Sequence, residues 1–286
     1  KKFSRPEKLK DWKAFENYCL DQQVDEIYFG QAGNDTLLLS KLSAFADQNF
    51  IYLRIASDQP HPLPSPTAYN AYYFDDIPVM SIRKEPLSKS LNQVAKRGFD
   101  MAFSLFALSF LLPFVFPFIA LAIRLESRGP IFFVQHRPGR KNRLFRCLKF
   151  RSMTVNQDTE KQATKNDRRI TRVGAFLRRT SLDELPQFIN VLLGDMSVVG
   201  PRPNMIKQLE YYSAHIEHYS FRHFVRPGIT GLAQVRGFRG ETQSLELMEK
   251  RVELDIRYME TWSLALDIKL IFLTAWNMLK GEENAY

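Results

Sequence analysis

Hydrophobic positions change period several times along the chain, and those changes divide it into elements. Across residues 6–22 the apolar side chains Leu9, Trp12, Phe15 and Leu20 recur at helical spacing, and residues 24–29 then read as a strand. Residues 30–34 form a turn. Leu38, Leu42 and Phe45 restore the helical period over 36–48, and 50–55 is a second strand. Strand, helix and strand in that order predict a β-α-β unit of the parallel type, a small Rossmann-like piece. Gly30 and Gly33 stand where a dinucleotide-binding loop would lie, but the full glycine fingerprint is missing, so a structural or regulatory fragment is the favoured reading.

Pro60, Pro62, Pro64, Pro66 and Pro78 then crowd residues 59–78 and predict a linker or domain edge. The next long pattern has no alternation at all. Residues 101–123 carry no charge, and at about 1.5 Å per residue a straight helix of that length crosses a bilayer core of about 30 Å. Pro113 and Pro117 argue against a straight helix, and a bend near Leu112 and Pro113 is expected.

Charge refines this picture. Arg83, Lys84, Lys89, Lys96 and Arg97 precede the apolar stretch, and Arg124, Arg128, Arg137, Arg140, Lys141, Arg143, Arg146, Lys149 and Arg151 follow it. Basic flanks stay on the cytoplasmic side, so one full crossing would misplace one of them. A re-entrant helix that bends and returns to the same face satisfies both, provided neighbouring protein re-pairs the freed backbone groups. It is favoured over a full span, and a buried soluble hairpin is disfavoured by Phe and Leu on all sides of the segment.

Beyond it, residues 131–134 and 145–150 read as strands and 168–179 as a basic helix or turn. Residues 181–193, 204–224 and 245–262 read as helices. Residues 264–279 interleave bulky apolar side chains with Lys269, which suits either a helix at a membrane surface or a core helix. The fold class expected is mixed α/β: the Rossmann-like piece, then a proline-broken membrane helix and a mostly helical domain with a few short strands. The first residue is Lys1, which suggests that the chain is trimmed or partial.

The whole chain carries 40 Lys and Arg against 31 Asp and Glu, a formal charge of +9, so an anionic partner is expected. Cys19 and Cys147 lack the clustered ligands of a zinc site and read as structural thiols. Nucleic acid is disfavoured, because proline turns interrupt the cations instead of leaving them arrayed on one helix with stacking aromatics.

The sharpest chemical signal is the run from Arg178 to Gln187, in which Asp183 and Glu184 adjoin two arginines. Its plain reading is helix initiation, with Ser181 and Glu184 as a capping box. Pro186 complicates that register, because it falls inside the first turn only if Asp183 is the cap. Its chemical reading is a phosphate-handling centre. Asp183 is suited to attack phosphorus, Glu184 to help hold a magnesium ion, and Arg151, Arg178 and Arg202 to neutralise phosphate oxygens. The stretches 194–203 and 226–231, rich in glycine and proline, read as rigid turns that hold cations, Arg202 and Arg226 among them.

Taken in order, several motifs resemble those of the polyprenyl phosphate sugar-phosphotransferases, the monotopic phosphoglycosyl transferases among bacterial sugar transferases. They are Lys96-Arg97-Gly98-Phe99-Asp100, the proline-broken helix, Gly129 to Gly139, Lys149-Phe150-Arg151-Ser152-Met153, Asp183-Glu184, Gly200-Pro201-Arg202-Pro203 and Pro227-Gly228-Ile229-Thr230-Gly231. The resemblance runs from about residue 94 to the end of the sequence. It implies a re-entrant membrane helix, a cytoplasmic active site, and ping-pong transfer through a phosphosugar carried on Asp183. It further implies Glu184 as a Mg2+ ligand, Lys149, Arg178 and Arg202 as phosphate-side cations, and Asp255 as a further polar residue of the site. One departure is Leu112, which stands before the helix-breaking proline where small relatives often have serine.

Gly237 to Thr242, together with residues 262–269, narrows the resemblance to undecaprenyl-phosphate glucose phosphotransferases. UDP-glucose is the expected donor, with galactose or an N-acetylated hexose as alternatives, and undecaprenyl phosphate the acceptor. Membrane lipids are expected partners, and assembly into a homo-oligomer stays open. A scaffold that has lost catalysis is the competing class, disfavoured by two acids kept in a cationic neighbourhood. The expected organisation is a Rossmann-like domain over 1–80, a linker over 81–95, the membrane helix over 96–124 and the catalytic domain over 125–286, in the bacterial inner membrane with membrane helices upstream.

Overall fold

Period changes become elements in the computed structural model of the chain, which describes residues 11–30, 36–56, 71–74, 77–81, 83, 85–155, 167–238, 240 and 244–280. Contacts divide the chain into residues 1–84 and 85–286.

In the first unit, Asp11 accepts the Ala14 N–H and starts α1 (Trp12–Asp21). Strand β1 (Glu26–Gly30), helix α2 (Thr36–Gln48) and strand β2 (Tyr52–Ala56) follow. The two strands pair in parallel, Glu26 opposite Tyr52 and Gly30 opposite Ala56. Leu42, Ala46, Ile51 and Ile55 are buried between helix and sheet with Cys19. The proline-rich region holds more structure than its composition predicts. β3 (Ala71–Phe74) and β4 (Ile77–Ser81) form an antiparallel hairpin that extends the sheet in the order β1-β2-β4-β3. Pro78 is tolerated in β4 because it lies opposite Tyr73, beyond the residues 79–81 that pair with β2. Gly33 and the prolines at 60, 62, 64 and 66 lie outside the described residues.

The second unit opens on α3 (Ser90–Phe114), which contains Pro113, and α4 (Phe116–Glu126). The break falls at Val115 rather than at Leu112 and Pro113. Val115 N–H still bonds the Leu111 carbonyl at 3.0 Å, which carries α3 past Pro113. A continued helix would instead press Pro117 on the Pro113 carbonyl, whereas a fresh start at Phe116 puts Pro117 in a first turn, where its missing donor costs nothing. Among described helices, α3 is the one long and apolar enough to cross a membrane. Leu105, Phe106 and Phe110 of α3 and Phe118, Leu121 and Leu125 of α4 face outward.

Both arms nevertheless pack on the same unit. Asp100 of α3 accepts the Val198 N–H at 3.0 Å. Phe116, Ile119 and Ile123 of α4 join Leu108, Phe150 and Leu177 in one core cluster, with the Phe116 and Phe150 rings edge-to-face at 4.8 Å. Glu126, which closes α4, accepts the first N–H groups of α5 (Arg172–Arg179), those of Arg172 and Val173.

β5 (Phe132–Pro138) and β6 (Leu144–Phe150) form a hairpin with Phe132 opposite Phe150. Helix α6 (Gln187–Leu193) stops at Gly194, whose φ of 92° only glycine adopts cheaply. β7 (Ser197–Val199) pairs in parallel with β8 (Gly228–Thr230). The single helix expected over 204–224 is instead α7 (Ile206–His215) and a separate 3-10 turn, Tyr219–Phe224, because His218 takes the left-handed conformation between them. α8 (Leu232–Val235), α9 (Leu245–Glu260) and α10 (Leu264–Lys280) complete the unit. A buried polar node ties α10 to α3: Asp267 accepts from Lys96 Nζ at 2.7 Å, the Tyr258 hydroxyl at 2.8 Å and Trp262 Nε1 at 3.1 Å.

Candidate active site

Residues 181–193 do not form one helix. Ser181 adopts a left-handed φ of 59°, Leu182–Glu184 makes a 3-10 turn, and α6 begins only after Pro186. The capping-box reading therefore fails, since Ser181 makes no side-chain cap bond and Pro186 holds the cap position of α6. The turn instead aims the acids inward, leaving Asp183 8% and Glu184 5% exposed.

Neighbouring elements fix what Glu184 meets. Asn190 docks α6 on β6, its Oδ1 accepting the Leu148 N–H at 2.9 Å and its amide donating to the Arg146 carbonyl at 2.8 Å. That places Lys149 of β6 against the turn, and its Nζ donates to Glu184 Oε1 at 2.7 Å. Arg202 completes the grip from the other side, Nη2 to Oε1 at 2.7 Å and Nη1 to Oε2 at 3.1 Å, a fork on both oxygens. Burial pushes the Arg202 guanidinium down, but the charge and hydrogen bonds of Glu184, with the charge of Asp183, outweigh it and hold the group above its ordinary value.

Arg202 is carried by backbone packed on backbone. Gly200 N–H bonds the Thr230 carbonyl at 2.8 Å and Gly228 N–H bonds the Pro201 carbonyl at 2.9 Å. A Cβ on Gly228 would lie 2.1 Å from Gly200 N, which is why the two turns meet at glycines. Arg222, fully buried, donates from Nη2 to the Arg202 carbonyl at 2.8 Å and pairs with Asp255 at 2.6 Å. Arg137 donates to the Pro203 carbonyl at 3.3 Å. Burial pushes Arg137 below its ordinary range, and nearby Arg202 acts in the same direction. Burial pushes Arg251 down to about 10, and Arg222 and Arg202 act the same way. The region thus concentrates guanidinium groups around two turns, an arrangement suited to a multiply charged anion.

The predicted residues separate into two groups. Lys149, Glu184 and Arg202 converge, Asp183 adjoins them, and Arg178 closes α5 one turn earlier, its carbonyl accepting the Ser181 N–H at 3.2 Å. Arg151 is committed elsewhere: it donates to the Arg128 and Ser127 carbonyls at 2.8 and 2.7 Å and so fastens the end of α4. Arg226 donates to the Gly194 carbonyl at 2.7 Å and stands near Arg97 and Arg140. Asp255 meets Arg222, which in turn donates to the Arg202 carbonyl. Sequence reasoning did not assign Arg137 or Arg222 to the site. Both act through backbone carbonyls, which leave no pattern in sequence.

Magnesium takes one or two carboxylates and draws its other ligands from substrate phosphates and water. Glu184 is the carboxylate expected to hold it, and its two oxygens here accept from Lys149 and Arg202. No cluster of three or more His, Cys, Asp or Glu suited to a metal occurs among the described residues, so the fit rests on substrate oxygens completing the set.

The second unit thus carries a buried acid pair, Glu184 of which is gripped by Lys149 and Arg202, together with a long apolar helix. The chain belongs to the bacterial sugar transferase family, whose model matches residues 91–281. It is 51% identical over 202 residues to the UDP-glucose:undecaprenyl-phosphate glucose-1-phosphate transferase of Escherichia coli strain K12, covering 70% of this chain and 43% of that protein. A protein of the same name from Caulobacter vibrioides is 45% identical over 203 residues, 70% of this chain and 75% of its own length. The UDP-N-acetylgalactosamine-undecaprenyl-phosphate N-acetylgalactosaminephosphotransferase of Aeromonas hydrophila is 41% identical over 189 residues, 65% of this chain and 44% of that protein. The chain thus spans less than half the length of the Escherichia coli and Aeromonas relatives.

Proposed function

We propose that this protein transfers glucose-1-phosphate from UDP-glucose to undecaprenyl phosphate and releases UMP, at the cytoplasmic face of the bacterial inner membrane, as the first membrane step of exopolysaccharide or capsule assembly. The observation that carries the reading is the turn at 181–184, which buries Asp183 beside a Glu184 forked by Arg202 and held by Lys149. The name of the Escherichia coli relative supplies the reaction class.

In this mechanism a carboxylate oxygen of Asp183 bonds to the sugar-bearing phosphorus while the bond from that phosphorus to the bridging oxygen breaks. The bridging oxygen keeps the electron pair and leaves with UMP. An oxygen of the prenyl phosphate next bonds to the same phosphorus, and the Asp183 carboxylate departs with its electron pair, leaving a sugar diphosphate lipid. Lys149, Arg178 and Arg202 offset the charge on the transferred group. Glu184 would help hold magnesium, which would supply further charge neutralisation on the diphosphate. α3 and α4 form the re-entrant element, a reading supported by the break at Val115 and by the packing of both arms on one unit.

The Aeromonas relative favours a second reading in which the same chemistry handles an N-acetylated hexose. With sugar-labelled UDP-glucose and no acceptor, the protein is expected to retain label, to lose it on addition of undecaprenyl phosphate, and to acquire none as Asp183→Asn. Normal turnover and labelling of that variant would overturn Asp183 as nucleophile. UMP release from UDP-N-acetylhexosamine alone would decide for the second sugar.

A further inference from the structure

Beside the acid pair lies a cavity of about 180 Å3 walled by Phe103 of α3, Phe188 of α6, Ile229 of β8, and Ile271, Ala275 and Met278 of α10. Its polar lining is sparse: Ser181 and Glu184 at the acid turn, Gln234, and Thr230 and Thr274, whose hydroxyls bond each other at 2.6 Å. Glu184 and Ser181 line it, and Ser181 precedes Asp183 by two residues, so the cavity borders the turn that carries the proposed chemistry. Ser181 Oγ and Gln234 Oε1, both of lining residues, are buried without a hydrogen-bond partner among the described residues. Gln234 is held by its amide, which donates to the Ile229 carbonyl at 3.1 Å, so its oxygen is left over by construction.

We infer that this cavity seats the first isoprene units of the polyprenyl phosphate acceptor, which brings its phosphate to Asp183. The inference rests on the transfer reaction proposed above. A nucleoside or sugar presents several hydroxyl and ring polar groups, and these walls offer them few partners. A prenyl phosphate has the complementary distribution, hydrocarbon for the walls and an anion for Lys149 and Arg202 at Glu184. Size agrees: an apolar cavity of about 150 Å3 takes up benzene, so this one accommodates one or two five-carbon units. The rest of the chain has a path, because α3 and α10, which wall the cavity, carry Leu105, Phe106 and Phe110, and Phe272, Trp276 and Leu279, on exposed faces.

A polyprenyl phosphate bearing a diazirine in its first isoprene units, irradiated with the full chain in detergent, is expected to cross-link to residues 271–278. Excess undecaprenyl phosphate should suppress that cross-link, while UDP-glucose should not. A cross-link elsewhere, or one insensitive to excess undecaprenyl phosphate, overturns the assignment. Ala275→Phe, which fills the cavity, should raise the KM for prenyl phosphate relative to that for UDP-glucose by about tenfold or more. A rise confined to UDP-glucose would give the cavity to the nucleoside and defeat the inference. Should the unaltered protein release no UMP from any UDP-sugar, the transfer reaction itself falls, whereas the cross-link reports on the cavity without turnover.

Discussion

Glu184 commits both carboxylate oxygens to cations, and those cations in turn hang on residues that never touch it. Arg222 is one such support, and His223 beside it shows what the crowding costs. Burial, with the neighbouring charge of Arg222, pushes the His223 imidazole from 6.5 down to about 3, so the folded protein holds it neutral. As the pH falls below about 6.5 the unfolded chain takes up this proton, while the folded chain does so only near 3. Stability from this group is therefore complete above about 6.5 and declines as the pH drops towards 3. Urea unfolding at pH 7 and 4.5 should show the protein losing about 2–3 kcal/mol more than His223→Gln over that interval. Equal losses would show that His223 is protonated in the folded state.

At the scale of elements, what sequence revealed depended on whether a side chain or the backbone made the decision. The β-α-β pattern of residues 24–55 was legible because Leu42, Ile51 and Ile55 mark buried faces by their spacing. The acid pair stood out because two carboxylates beside arginines suit a phosphate, and the fold brings Lys149 and Arg202 onto Glu184. The turn that presents them did not, since Ser181 takes a left-handed conformation that serine rarely adopts. The hairpin at 71–81 was hidden by proline, whose exclusion from strands fails where only one neighbour is paired. Arg151 and Arg226 fasten backbone carbonyls in the fold, a role that sequence does not distinguish from phosphate binding. The meeting of β7 and β8 gives a direct test. Gly228→Ala puts a methyl 2.1 Å from Gly200 N, where only backbone can yield. We expect a loss of at least about 2 kcal/mol in thermal unfolding, with activity falling further as Arg202 shifts. An unchanged melting temperature would show that the two turns separate freely.

On the scale of the second unit, apolar surface is left outside. Phe272 is 71% and Trp276 57% exposed on α10, while Asp267 and Leu270 are buried on its other side. Exposed apolar surface of this extent marks a membrane or partner contact. With α3 and α4 inserted, α10 lies at the interface in our reading, and its aromatics suit the headgroup level. Phe272→Asp combined with Trp276→Asp should lower the fraction of protein that floats with lipid vesicles, while leaving the Asp267 node intact. Undiminished flotation would assign that face to another contact.

The Lys96–Asp267 pair spans 171 positions of sequence. A ribosome therefore delivers the lysine long before the aspartate that neutralises it, and in that interval the root of α3 has Asp100 as its nearby acid, 4.0 Å away in the finished fold. The Lys96–Asp267 contact itself can therefore form only once α10 has been synthesised. A polypeptide cut short ahead of Asp267 would leave that ammonium group with Asp100 but without its shorter partner at the base of its greasiest segment.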